Sequence, residues 1–166
     1  MLDIKNIENL VQAYIAKNFK EETKSRTVTM QGIFGSEELD EIDFKKLLAQ
    51  ARTGTETFSE MLLHFIKESG EKNSAVYTRA NIDRRHFSKI ANNPEYKPSK
   101  QTVLAFAIAL KLSFEQTEDL LATAGFTLSK SSLADVIVSF FIEYKIFDVD
   151  LVNQILYKYD QPLLGG

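Results

Sequence analysis

Residues 70–93 read GEKNSAVYTRANIDRRHFSKIANN, and the organisation of the chain can be worked out from this stretch. Two short runs, 73–80 and 83–92, carry apolar residues at helical spacing and are separated by Asn81-Ile82. Asn tolerates the left-handed backbone that a tight corner between two helices requires. Asp83 can accept a hydrogen bond from an orphan amide at the start of the second run, and Gly70 can end a helix before the first. Val76, Ile82, Phe87 and Ile90 are expected to face inward. Arg84, Arg85, His86, Ser88 and Lys89 are expected to face solvent.

Helical signals continue on both sides. Upstream, Thr57 and Glu60 have the spacing of a capping box and open a helix over 57–69, with Phe58, Met61, Leu62, Phe65 and Ile66 on its apolar stripe. Downstream, Pro94 and Pro98 bracket a basic loop, and Ser99 caps an apolar helix, 100–111, expected at the centre of the core. Ser113 with Gln116 forms a second capping box for a helix ending near Ala124, with Gly125 just beyond it. A helix over 132–144 and another capped by Asp148 follow, and the tail QPLLGG is short and apolar. Near the start, residues 2–19 form one apolar stripe, 20–35 read as a connector, and Ser36 caps a helix reaching Ala51. The expected fold is all-α, with an N-terminal helical extension and linker (1–55), a central domain (56–125), and a C-terminal helical pair and tail (126–166) packed on the core.

Composition narrows the chemistry. The 166 residues include no Cys and only two His. A disulfide framework, a thiolate zinc site and a cysteine nucleophile are excluded. His64 has Glu60 and Glu68 one helical turn away on either side, which in principle makes a carboxylate-oriented base or part of a metal site. A histidine at the boundary of an amphipathic helix is the simpler reading. Gly-rich phosphate loops and the HExxH and GxSxG patterns are missing. Binding rather than catalysis is therefore expected, with no cofactor and no metal. No apolar run approaches the roughly 18 residues of a membrane span, and Asp3 and Glu8 are unlike a secretory leader. The sequence thus predicts a cytoplasmic protein with no membrane partner.

The formal net charge of −3 conceals a strong asymmetry. Residues 1–71 carry a net −4, residues 72–100 a net +5, and residues 101–166 a net −4. A basic island between acidic flanks is either a solvated surface or a face that meets a polyanion. It coincides with the stretch quoted above.

The order of elements over 58–121 is helix, Gly70, short helix, corner, short helix, loop, apolar helix, capped helix. It resembles the five-helix DNA-binding domain of the XRE family, the Cro and lambda-repressor type of helix-turn-helix. Asn73 stands where that family usually has Gln, Val76 at its buried aliphatic position, and Asn81 at its corner Gly. Phe87 and Ile90 stand at the buried positions of its recognition helix. PSKQTVLAFAIALKLSFEQTEDLL (98–121) resembles the family's continuation. The resemblance implies a dimeric transcription regulator that lays residues 83–92 in the major groove of double-stranded DNA. Arg84, Arg85, His86, Ser88 and Lys89 would then meet base edges or phosphates, while Lys72, Asn73, Lys97 and Lys100 would position the backbone. Tyr77 departs most from the pattern, with the corner Asn81 a milder departure: it replaces a small residue, usually Ala, and is expected either to pry the two short helices apart or to lean out beside them. The same segment is similar to C-terminal extensions of some bacterial macrodomain proteins. That similarity implies an alternative, a protein-interaction module using its acidic flanks as an adaptor, or as a phage or mobile-element inhibitor of a nucleic-acid-processing host protein.

Overall fold

The structure, a computed structural model, describes residues 3–21 and 56–166. The expected helix 36–51 and most of the connector before it lie outside the described residues. Eight α-helices and no strands occur among the described residues. They are α1 (Ile4–Asn18), α2 (Phe58–Ser69), α3 (Asn73–Arg79), α4 (Arg84–Asn92), α5 (Lys100–Ala109), α6 (Phe114–Thr123), α7 (Leu133–Glu143) and α8 (Val149–Lys158).

Local chemistry sets where these helices begin. Thr57 Oγ1 accepts the Glu60 N–H at 3.3 Å, and the Glu60 carboxylate accepts the Thr57 N–H at 2.8 Å, completing the box that opens α2. Ser113 and Gln116 do the same for α6. Asp3, Asp83, Ser99, Ser132 and Asp148 each accept an amide hydrogen at the start of α1, α4, α5, α7 and α8. Only α3, entered from Lys72, lacks a side-chain cap among these helices.

The ends share a second device. Asn81, Lys111, Gly125, Lys145 and Asp160 all have positive φ. The amide of the residue after each reaches back five residues: Ile82 to Tyr77 O, Leu112 to Ala107 O, Phe126 to Leu121 O, Ile146 to Phe141 O and Gln161 to Leu156 O, at 2.9–3.0 Å. This is the Schellman termination, which normally favours glycine at the left-handed position. Here four of the five positions hold a side chain.

Helix α5 is the centre of the packing. Every residue from Thr102 to Leu110 is buried, and α3, α6 and α8 lie against it. Helix α2 packs on α4 and α6. Helix α1 lies on α7, burying Ile7 and Val11, with the Tyr14 ring set edge-on to Phe140 at 5.5 Å. The described residues thus form one compact unit, in which α1 belongs with the C-terminal helices. No helix among the described residues is long and apolar enough to cross a membrane.

The tail is more than an apolar end. Leu164 is buried, its N–H donating to Asn153 Oδ1 at 2.7 Å and its carbonyl accepting from Asn153 Nδ2 at 3.0 Å. Thr102 Oγ1 donates to the Gly165 carbonyl at 3.1 Å. The last two glycines lie against the corner, where a side chain at Gly165 would press on the Asn81 carbonyl and one at Gly166 would collide with the His86 ring.

Candidate functional site

The basic island is organised around α4. Phe87 and Ile90 are buried, anchoring one side of the helix in the core, and Arg84, Arg85, Ser88, Lys89 and Asn92 are exposed on the other. Both ends of α4 are fixed. Asp83 Oδ1 accepts the His86 N–H at 2.8 Å, and this bond holds the Asp83 carboxyl below its usual range. At the far end the hydroxyl of Ser59, buried on α2, lies 2.6 Å from the Ile90 carbonyl and 3.1 Å from that of Asn93. Ser59 was not singled out from the sequence, although a lone hydroxyl beside the buried Phe58 calls for a partner. The helix is therefore held as a rigid rod with one face outward.

The corner before α4 is tight. The Ala80, Asn81 and Ile82 amides donate to Val76, Thr78 and Tyr77 carbonyls at 2.9–3.1 Å, and Asn81 sits at φ 56°. The Asn81 side-chain Nδ2 donates to Asp150 Oδ1 at 3.0 Å, tying the corner to α8. Tyr77 has not disrupted this arrangement. Its ring is half-buried and lies tilted over Phe87, with centroids 5.1 Å apart. Phe87 is in turn 6.2 Å from Phe106 of α5. The phenol thus packs beside Phe87 and forms part of the floor of a groove of about 660 Å³ between α3 and α4.

The cations of the island divide into two groups. Lys72, Arg84, Arg85, Lys89 and Lys97 are exposed and make no ion pair among the described residues. Arg79 and Lys100 are engaged. Arg79 grips both Glu71 oxygens at 2.8 Å and donates from Nε to the Ala109 carbonyl at 2.9 Å, and its guanidinium holds the Glu71 carboxyl below its usual range. Lys100, expected to hold a phosphate, instead donates to Asp135 Oδ2 at 2.5 Å and to the Thr127 carbonyl at 2.6 Å. Asp135 is a buried residue of α7, and taking an ion-paired ammonium away from a buried carboxylate is costly. Lys100 is a structural residue in this fold.

The remaining candidates are placed unevenly. Asn73 is exposed at the start of α3 and lines the groove with Lys72. Ser88 is exposed, but its hydroxyl and carbonyl lie within hydrogen-bond distance of the Asn92 amide. His86 is half-buried rather than fully outward. Its Nε2 is 2.8 Å from the Tyr96 hydroxyl, and its other edge faces Gly166. Lys97 stands free on the loop after Tyr96. His64 pairs with Glu68 at 3.3 Å on an exposed face, and no group of three metal-ligating side chains occurs among the described residues.

What the arrangement offers chemically is a fixed helix face rich in fork-like and point-charge donors, with an aromatic-floored groove on one side. No protein-family model matches the chain, and neither curated proteins nor solved structures give a match.

Proposed function

We propose that the protein is a DNA-binding regulator of the XRE helix-turn-helix type, in which α2–α6 form the five-helix core and α4 enters the major groove. The observation that carries this reading is the set of five exposed cations on α4 and its flanks, none ion-paired among the described residues. A solvated surface tends to interleave both signs of charge, whereas a polyanion-binding face leaves its cations free. Arg84 and Arg85 lie in the first turn of α4, the part of a recognition helix that meets base edges, and arginine can bond both O6 and N7 of guanine. Lys72, Lys89 and Lys97 are suited to phosphates. One such helix covers only a short half-site, so the active form in this reading is a homodimer on paired half-sites.

The test is fluorescence anisotropy on labelled double-stranded DNA through a salt series. Binding at about 50 mM salt that weakens steeply as salt rises is expected. Arg84→Ala with Arg85→Ala should reduce affinity at least tenfold, given the ~1–3 kcal/mol of a good base contact. Absence of binding at low salt, or indifference to the double substitution, overturns the proposal.

A second reading, the protein-interaction module, is favoured by one observation. Leu10 and Tyr144 are exposed apolar side chains lining one cavity with Tyr14 and Glu143, remote in sequence from the basic island. Unchanged DNA binding in Leu10→Ser together with loss of a protein partner would assign that surface to this second role.

A further inference from the structure

We propose that the groove between α3 and α4 takes one unstacked nucleobase of the bound DNA, laid against the Tyr77 ring. The inference rests on the DNA reading above and goes further in naming the form of DNA preferred: a duplex with an unpaired or readily extruded base.

The groove has the shape and chemistry for this occupant. Its floor is the half-buried Tyr77 ring, flanked by Phe87 and Ala91. Tilted packing on Phe87 at 5.1 Å, and of Phe87 on Phe106 at 6.2 Å, backs the phenol with the core, so it meets a ligand as a supported platform. The lining includes Lys72 from the start of α3 and Arg84 from the start of α4. These cations can hold the phosphates on either side of a displaced nucleotide. Asn73 adds an amide able to both donate to and accept from a base edge. Glu71 also lines the groove, but its carboxylate is neutralised by the two-pronged contact with Arg79.

The groove, about 660 Å³ and open to solvent, has room for a nucleotide, whereas its apolar lining offers few anchors to a peptide helix. A helix docks through anchors at i, i+4 and i+7 along a continuous apolar trough, and here the apolar lining is Tyr77, Phe87 and Ala91 alone. A fully stacked duplex presents no base face to such a platform. A bulged base does, and it has less stacking to lose on entering the groove.

The experiment uses the full chain and duplexes of about 30 base pairs, one fully matched and one with a single bulged adenine, at about 50 mM salt. Wild type and Tyr77→Phe should bind the bulged duplex about tenfold more tightly than the matched one, the size expected of one base–aromatic stack. Tyr77→Ala should bring the two affinities within about twofold of each other, as expected if the preference for the bulge comes from stacking on the ring. A 2-aminopurine placed at the bulge should lose fluorescence when wild type binds, which reports stacking even if Tyr77→Ala fails to fold. Equal affinity of wild type for both duplexes, or an unquenched 2-aminopurine, overturns the inference while leaving the DNA reading standing. Failure of wild type to bind either duplex overturns both.

Discussion

Lys100 at the start of α5 donates to Asp135 of α7 at 2.5 Å, and the carboxylate that receives it also accepts the Ser129 N–H at 2.9 Å. A cation that charge counting assigns to the basic island therefore joins two helices. Removing one partner strands the other charge in a poorly solvated place. Asp135→Ala is expected to lower stability by about 2–4 kcal/mol in urea unfolding. Lys100→Met combined with Asp135→Leu should recover most of that loss, because the buried carboxylate and its partly buried ammonium then disappear together.

The division of the cations also predicts a salt dependence. If the free set of Lys72, Arg84, Arg85, Lys89 and Lys97 makes the DNA contacts, log affinity against log salt should fall with a slope between about −3 and −5. Lys89→Ala or Lys97→Ala should each flatten that slope by about one, with little change in melting temperature. A slope that Lys89→Ala leaves unchanged would remove that residue from the interface.

The helix ends offer a gain in stability. Lys145 terminates α7 at φ 56°, where a β-carbon is strained and glycine is not. Relief of that strain outweighs the extra freedom glycine gives the unfolded chain, so Lys145→Gly should stabilise by roughly 0.5–1 kcal/mol in thermal or urea unfolding. At Asn81 the same change should be nearly neutral. There the gain is offset by loss of the 3.0 Å bond to Asp150.

Acid should loosen the α4 region. The His86 N–H at Asp83, the Thr57 N–H at Glu60 and the Arg79 guanidinium at Glu71 all favour the ionised carboxyl in the folded state. Each folded pKa lies below its unfolded value, near the ordinary carboxylate range of about 4. The stabilisation is complete above that range and disappears as pH falls through the lower folded values. Asp83→Asn retains a capping oxygen but not the charge. It should show a shallower loss of stability below about pH 4 than wild type.

Much of the backbone plan can be read from local signals. The two capping boxes, the caps at Asp83, Ser99 and Asp148, and the corner at Asn81 depend on residues within five positions of one another. Such interactions are written contiguously in the chain, and the structure has each of them. What could not be read was long-range pairing. Asp135 lies 35 residues beyond Lys100, and Ser59 lies 31 residues before the Ile90 carbonyl it meets. Nothing in either local sequence names its partner. The position of Tyr77 was also undetermined, because whether a ring pries helices apart or leans out depends on room left by Phe87 and α5, not on its immediate neighbours.

The fastening of the tail has a consequence for the order in which the protein can be assembled. The corner that presents α4 is buttressed by Asp150 and by Gly165 and Gly166, and Thr102 of the central helix bonds to Gly165, 63 residues later. During synthesis the segment from α2 to α6 emerges with its caps and corner in place but without these supports. Contacts so distant in sequence close late, since a long loop must first be ordered. The α4 face gains these supports only when residues 164–166 dock, so a chain that has not finished folding presents its cations on a looser, less selective surface.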